Sequence, residues 1–270
     1  MIPEPAPTVR ELLAFYLEAG VDCALAEEPI DRLAELDAPP PAPRTVLTEA
    51  PRPVAAPAVM RGEAAPAPDV AIASAREAAR TAPTLEALRE LMQNFEGCAL
   101  KHTATRLVFA DGNPQARIMF VGEAPGRDED IEGLPFVGRS GKLLDLMIGA
   151  IGLNRSTAYI TNVIPWRPPG NRTPTPQETQ VCLPFIQRHI ELVNPDVLVT
   201  LGNPSTQTLL STREGIMRTR GRWFDYDTGQ RTIRALPTFH PAYLLRSPSY
   251  KRLAWQDLRA IAKALAQGPA

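Results

Sequence analysis

Three short polar segments each follow an apolar run, and each carries side chains that can recognise a nucleobase. They are GEAPGRDED (122–130), NVIPWRPPGNR (162–172) and HPAYLLR (240–246). Asn162 offers a donor and an acceptor, which suits the N3–H and O4 edge of a pyrimidine. His240 can donate to an oxygen that gains negative charge, and Phe136 offers a stacking face. Together these groups predict a pocket for a base flipped out of a nucleic-acid strand.

The third segment adds groups that could hold a DNA duplex open. Leu244 and Leu245 are apolar and precede Arg246 on a short turn. This combination suits a wedge between bases, with a phosphate contact beside it. Each candidate residue also has a plainer role open to it: a turn cap, a core side chain, a bond to a backbone carbonyl, or burial under the last helix. Their joint occurrence at three strand ends, expected to be neighbours, favours the pocket.

Two familiar site motifs are absent from these segments. GRSGK (138–142) resembles the end of a phosphate-binding P-loop, but Phe136 stands where that loop needs glycine and Leu143 where it needs Ser or Thr. The serine-hydrolase motif G-x-S-x-G fails because Lys142 occupies its second glycine. The three histidines stand in no zinc-binding spacing. The sequence therefore argues against a nucleoside triphosphate site, a serine nucleophile and a classical zinc site.

The elements that must position these segments alternate between strands and helices. Apolar runs predict strands in RIMFVG, AYITNVI, DVLVTLG, GRWFDYD and TIRALPTF. Capping and periodicity predict helices at 85–95, 140–153, 175–193, 203–211 and 247–265. This order predicts a three-layer α/β/α sandwich with a mostly parallel central sheet. Ligands of such folds bind at the carboxyl ends of the strands.

The N-terminal third has a different composition. Residues 1–36 predict a small helical arm, residues 37–83 an Ala/Pro-rich linker, and residues 84–270 the α/β domain. Residues 1–100 carry 8 Lys/Arg against 16 Asp/Glu, whereas the remainder carries 21 against 14. An acidic arm beside a mildly basic domain fits either a protein without a polyanionic partner or one whose basic residues face nucleic acid.

The polar segments and their spacing resemble the uracil-DNA glycosylase superfamily, and most of all its type-4, iron–sulfur branch. The matching stretches are GEAPGRDED, LPFVGRSGKLL, YITNVIPWRPPGNRTPTPQE, LVTLG and FHPAYLLR, within about residues 95–265. The resemblance implies base excision repair: an enzyme that flips uracil out of DNA and hydrolyses its N-glycosidic bond, leaving an abasic site. Two alternatives stay open: a non-catalytic protein that binds uracil or single-stranded DNA, and a glycosylase for another damaged base.

The same resemblance assigns roles to individual residues. It implies that Phe136 stacks on the uracil, that Asn162 binds its amide edge and that His240 bonds its O2 as the glycosidic bond breaks. Either Glu123 or Glu129 is expected to orient the attacking water. The resemblance further implies that the pocket is lined by Gly122, Glu123 and Ala124, and that Leu244 fills the space left by the flipped nucleotide. It implies DNA contacts for Arg167, Arg172 and Arg246.

The resemblance also raises the question of a cofactor. The iron–sulfur relatives hold a 4Fe-4S cluster through four cysteines, and only two of these positions, Cys98 and Cys182, are cysteine here. Phe95 and Trp166 occupy the other two, and neither side chain can ligate iron. We therefore expect no cluster and no other cofactor. The two aromatic rings are predicted to pack in the space of the cluster.

Composition and cysteine usage indicate the cellular setting. Three widely separated cysteines, no signal peptide and no apolar run long enough to cross a bilayer favour a reduced, cytoplasmic compartment. Uracil-containing DNA is the expected partner, at the nucleoid, and no membrane is involved. We expect a monomer, with a protein partner possible for the N-terminal arm.

Overall fold

A six-stranded sheet forms the centre of residues 68–267, the part of the chain that the computed structural model describes. All of these residues belong to one unit, Arg61–Ala270. The strands are β1 (Asp111–Gly112), β2 (Ile118–Gly122), β3 (Tyr159–Asn162), β4 (Val197–Leu201), β5 (Phe224–Asp227) and β6 (Thr232–Thr238). Their order is β1-β3-β2-β4-β6-β5. The four central strands are parallel, and β1 and β5 are antiparallel edge strands.

Helices cover both faces of the sheet. They are α1 (Pro68–Thr81), α2 (Leu85–Asn94), α3 (Leu100–Thr103), α4 (Arg127–Glu132), α5 (Arg139–Gly149), α6 (Pro176–Val193), α7 (Asn203–Leu210), α8 (Ile216–Thr219), α9 (Pro241–Arg246) and α10 (Lys251–Ala266). Two short 3-10 helices span Pro169–Asn171 and Pro248–Tyr250. No helix in this part of the chain is long and apolar enough to cross a membrane.

Alternating side chains of the strands divide the core into two layers. Met119 and Val121 of β2 pack with α1, α2 and α6, whereas Ile118 and Phe120 pack with α5, α9 and α10. This alternation follows from the two-residue period of a strand. The strands β2, β3 and β4 are buried on both faces, which explains their continuous apolar runs. The predicted three-layer α/β/α sandwich with a mostly parallel sheet is therefore confirmed.

The prediction that the linker extends to residue 83 is wrong. Residues 68–81 form α1, which packs on α6 through alanines at 71, 75 and 79. A spacing of four residues aligns these small side chains on one helix face, and no proline interrupts the helix after Pro68. The prolines that run up to Pro68 suggested a linker, whereas the alanines that follow favour a helix, because alanine is the strongest helix former. The predicted arm, residues 1–36, and residues 37–67 lie outside the described residues.

The order of strands in the sheet corrects the expectation that the three polar segments follow neighbouring strands. β2 and β3 are neighbours, but β4 lies between β2 and β6. Gly202, which follows β4, allows the side chain of His240 to pack closely against it. Its φ is +92°, and a Cβ at this position would lie 3.0 Å from the Cβ of His240. A glycine after β4 therefore leaves room for the side chain that follows β6.

Candidate active site

The three polar segments converge on one cleft of about 350 Å³ at the carboxyl edge of the sheet. This volume is within the usual range of small-ligand sites. Its walls come from the loops after β2, β3 and β6. The predicted site residues that line it are Glu123, Ala124, Glu129, Phe136, Asn162, Arg172, His240 and Arg246. The structure therefore brings together most of the side chains that the sequence singled out.

Asn162 ends β3 with a polar atom that lacks a partner. Its side chain is 5% exposed, and its Oδ1 forms no hydrogen bond within residues 68–267. A buried acceptor left without a donor costs about 1–3 kcal/mol. Because Asn162 lines the cleft, a ligand N–H that enters the cleft could supply the missing bond. The arrangement suits recognition of a group that presents a donor.

Phe136 lies beside this amide in an unusual backbone conformation. Its φ is +55°, in the left-handed region that side chains other than glycine rarely adopt. The ring is buried, and its centroid lies 5.5 Å from that of His240. Gly122 separates the ring from Asn162: a Cβ there would lie 2.6 Å from Phe136 Cζ and 2.3 Å from Asn162 Oδ1. Gly122 thus contributes by having no side chain.

His240 is held as a neutral hydrogen-bond donor. It is the N-cap residue of α9, and its Nδ1 accepts a bond from the backbone N–H of Ala242 at 3.1 Å. Burial, with a smaller effect of Arg246, lowers the pKa of His240 to about 4. At neutral pH the ring therefore carries its single proton on Nε2, which can donate. This state fits the predicted role of stabilising an oxygen.

The two candidate carboxylates differ in what they bind. Glu129 accepts from the backbone N–H groups of Gly126, Val137 and Gly138 at 3.0, 3.1 and 3.0 Å. Both of its oxygens are therefore engaged in joining two loops, which favours Glu123 over Glu129 for orienting the water. Glu123 makes no side-chain hydrogen bond with the described residues, and burial raises its pKa. Glu123 remains as the carboxylate that can hold a water in the cleft.

The turn of α9 corrects the predicted wedge. Leu244 is 1% exposed and packs in the core, whereas Leu245 is 37% exposed. Pro241 is buried, and Leu244 lies three residues later on the same face of the helix. The start of α9 after His240 was the sequence feature that could have shown which of the two leucines faces the core. The apolar side chain that faces outward is therefore Leu245.

The three candidate DNA-binding arginines are not equivalent. Arg246 is exposed at the cleft and forms no ion pair with any residue in the described range. Arg172 also lines the cleft, and it forms two hydrogen bonds to the Glu178 carboxylate at 2.9 and 2.6 Å. Arg167 does not line the cleft; its Nε donates to Asn171 Oδ1 at 2.7 Å. Arg167 therefore stabilises the loop that Arg172 follows.

Arg155 is a site-supporting residue that the sequence did not identify. It lies between α5 and β3, and its Nη2 donates to the carbonyl oxygen of Phe136 at 2.5 Å. Its Nη1 donates to the carbonyl of Pro135 at 3.2 Å. Nothing in the local sequence marks this arginine, because its partners are 19 and 20 residues away.

The positions expected for cluster ligands do not fit a four-thiolate cluster. Cys98 and Cys182 are buried free thiols whose sulfur atoms lie 4.0 Å apart. Their contact lowers the pKa of Cys98 and, together with burial, raises that of Cys182. Phe95 and Trp166 are buried in the same hydrophobic cluster. Between residues 68 and 267, no group of three or more His, Cys, Asp or Glu side chains could hold a metal ion.

The aromatic packing at these positions differs in one detail from the prediction. The ring of Phe95 packs edge-on against Phe185, with centroids 5.0 Å apart, and it forms no ring pair with Trp166 in the described part of the chain. Both rings lie in one cluster with the two cysteines, so α2 and the loop after β3 share a core. Burial of both rings in one cluster with the cysteines agrees with the predicted packing, but the ring paired with Phe95 is that of Phe185.

Comparison with known proteins agrees with this geometry. The family model of the uracil DNA glycosylase superfamily matches residues 109–259. A type-4 uracil-DNA glycosylase of Sulfurisphaera tokodaii is 40% identical over 66% of this chain and 83% of its own length. Those of Thermotoga maritima and Archaeoglobus fulgidus are 41% and 39% identical, each over 64% of this chain and over 91% and 89% of their own lengths. The chain belongs to the uracil DNA glycosylase superfamily.

Proposed function

We propose that this protein is a uracil-DNA glycosylase of base excision repair, which hydrolyses the N-glycosidic bond of a flipped uracil. The observation that carries this proposal is the partnerless Oδ1 of Asn162. It lines a cleft that also presents the ring of Phe136 and a neutral, donating His240. An acceptor, a stacking face and a donor on one cleft are what a flipped pyrimidine requires.

Asn162 accounts for selection of uracil over cytosine. Its Oδ1 accepts from uracil N3–H, and its amide nitrogen donates to O4. Cytosine has an unprotonated N3 and an amino group at C4, so both interactions become unfavourable. A buried acceptor facing another acceptor remains without a bond, which is the costly outcome. Rejection therefore follows from the hydrogen-bond pattern of a rigid side chain at the end of a buried strand.

His240 and Glu123 divide the chemistry between the base and the sugar. As the bond from C1′ to N1 breaks, its electron pair moves into the uracil, and His240 Nε2–H donates to O2 where negative charge develops. The sugar becomes oxocarbenium-like, as in glycoside hydrolysis. Glu123 orients a water that adds to C1′, and its carboxylate accepts the proton that the water loses. Because His240 is already neutral, it stabilises the uracil anion as a hydrogen-bond donor.

The outer rim of the cleft engages the DNA duplex. Leu245 is exposed on α9 and enters the space from which the nucleotide has been flipped. Arg246, next to it, contacts a phosphate, and Arg172 provides a second cation at the mouth of the cleft. The acting species is a monomer that works on DNA in the cytoplasm, at the nucleoid. Residues 1–36 are proposed as a docking segment for a protein partner.

We propose that this activity does not depend on an iron–sulfur cluster. The support is the pair of buried aromatic residues, Phe95 and Trp166, where the resemblance places two of four cysteine ligands. The protein made anaerobically with iron and sulfide should be colourless and free of iron. Replacing both aromatic residues with cysteine should introduce iron and visible absorbance if the four positions converge. A brown wild-type protein would contradict the proposal.

Release of free uracil from a synthetic duplex with one U·G pair tests the function. The proposal expects uracil and an abasic strand, with no release from the matched C·G duplex. A protein that only binds uracil would shift the duplex in a gel and release nothing. Duplexes carrying hypoxanthine or other damaged bases distinguish a glycosylase of different specificity. Absence of uracil release by the folded, full chain would refute the proposed activity.

A further inference from the structure

The stacking residue of the cleft is held in a conformation that it would not adopt without support. Phe136 has φ +55°, and such a backbone conformation costs about 1–3 kcal/mol for a residue other than glycine. Its ring direction depends on this conformation because the Cβ position follows from the backbone. Some neighbouring group must therefore stabilise the local structure.

Arg155 makes contacts that can stabilise the backbone conformation of Phe136. Its guanidinium donates to the carbonyl oxygens of Phe136 at 2.5 Å and Pro135 at 3.2 Å, so it bonds both carbonyls that flank the Phe136 N–Cα unit. These bonds fix the two peptide planes whose relative rotation is described by φ and ψ of Phe136.

The guanidinium is itself immobilised from other directions. It pairs with Asp111 of β1 at 2.5 Å and with Asp145 of α5 at 2.9 Å. The Arg155 side chain is only 26% exposed. A planar group with five donors can serve all these acceptors at once, which an ammonium group cannot.

Gly141 lies against the same carbonyl. A Cβ at position 141 would lie 1.6 Å from the carbonyl oxygen of Phe136. The first turn of α5 can therefore approach the carbonyl only because residue 141 is glycine. The carbonyl is therefore in contact with both α5 and Arg155.

We propose that Arg155 is a positioning residue for base stacking, which locks Phe136 in its left-handed conformation before the base arrives. This proposal rests on the proposed function and specifies how its site is preorganised. Arg155 touches neither the base nor the reacting atoms. Its loss should weaken binding of the base in the ground state and the transition state alike, because the stacking contact is made in both. Such a uniform loss raises KM and leaves kcat unchanged.

The experiment compares Arg155→Gln with Arg155→Lys and with a matched control. Arg117→Gln is the control, since Arg117 pairs with Asp196 and with the carbonyl of Leu265 at the opposite end of β2. The measurements are kcat and KM for uracil release, and the inhibition constant of free uracil. For Arg155→Gln we expect KM and the inhibition constant to rise together by about 10–100-fold. This factor is the affinity equivalent of the backbone strain that Phe136 would lose in the variant and regain on binding the base. The lysine variant should be intermediate and the control unchanged.

Gly141→Ala provides an independent test that leaves Arg155 intact. Its Cβ displaces the Phe136 carbonyl from the guanidinium, so it should raise the same two constants. If Arg155→Gln does not fold, the lysine and Gly141 variants decide. A folded Arg155 variant with wild-type constants for uracil overturns the positioning role, as does a loss confined to kcat. Failure of the wild type to release uracil would instead refute the proposed function.

Discussion

Replacing Gly122 with alanine tests whether the base pocket depends on the missing side chain at the end of β2. The new Cβ would lie 2.3 Å from Asn162 Oδ1 and 2.6 Å from Phe136 Cζ, where real Cβ contacts are essentially never under 3.0 Å. Because the φ of Gly122 is outside the left-handed region, alanine adds no backbone strain. The change is therefore a steric perturbation of two recognition groups at once.

The size of the effect follows from these distances. To restore a 3.0 Å separation, the amide must retreat by about 0.7 Å and the ring by about 0.4 Å. Misplacement of about 1 Å in a catalytic site costs about 100-fold in rate. We therefore expect kcat/KM for uracil release to fall by about 100-fold, equivalent to ~2.7 kcal/mol. Overpacking should also lower the free energy of unfolding by about 1–3 kcal/mol.

Single-turnover release of uracil from a duplex oligonucleotide, with urea unfolding of the same samples, measures both quantities. Gly149→Ala is the matched control, because Gly149 is exposed in α5 and a Cβ there would meet nothing within 4 Å. This variant should keep wild-type activity and gain about 0.5–1 kcal/mol of stability. If folded Gly122→Ala releases uracil within threefold of the wild-type rate, the inferred geometry of the pocket is incorrect.

Three further predictions concern the site and its surroundings. Asn162→Ala and His240→Ala should each lower uracil release by about 100- to 1000-fold, and near wild-type turnover in either would contradict its assignment. Asn162→Ala should leave the melting temperature nearly unchanged, whereas His240→Ala also removes the N-cap of α9 and should cost about 0.5–2 kcal/mol of stability. Leu245→Ala should impair uracil release from duplex DNA more than from single-stranded DNA. Leu244→Ala should instead cost about 2–5 kcal/mol of stability. A duplex-specific loss of release in Leu244→Ala, with none in Leu245→Ala, would restore Leu244 as the wedge. Burial lowers the pKa of His189 to about 3 and that of His240 to about 4, so the unfolded chain binds more protons below pH 6.5. The free energy of unfolding should therefore fall by about 3–4 kcal/mol between pH 7 and pH 5, and a flat urea-unfolding profile over this range would contradict it.

The alternation of strands and helices and the identity of the recognition groups follow from local features of the sequence. Thr175 and Glu178 form a capping box at the start of α6, and Thr84 caps α2. Such signals are local, because a cap and its helix lie within a few residues. Parallel strands buried on both faces appear as continuous apolar runs. The polar residues after those runs, Asn162 and His240, were therefore recognisable before the fold was known.

The roles of the remaining groups depend on contacts between residues far apart in the sequence. Glu129 could not be distinguished from Glu123 until its three backbone donors were in place. The left-handed conformation of Phe136 is held by Arg155 from another part of the chain, and no local pattern encodes that contact. The placement of β4 between β2 and β6 likewise depends on the packing of the whole sheet. Residue type fixes what a side chain can bind, but only neighbours distant in sequence determine which of its hydrogen bonds are already made and which remain for the substrate.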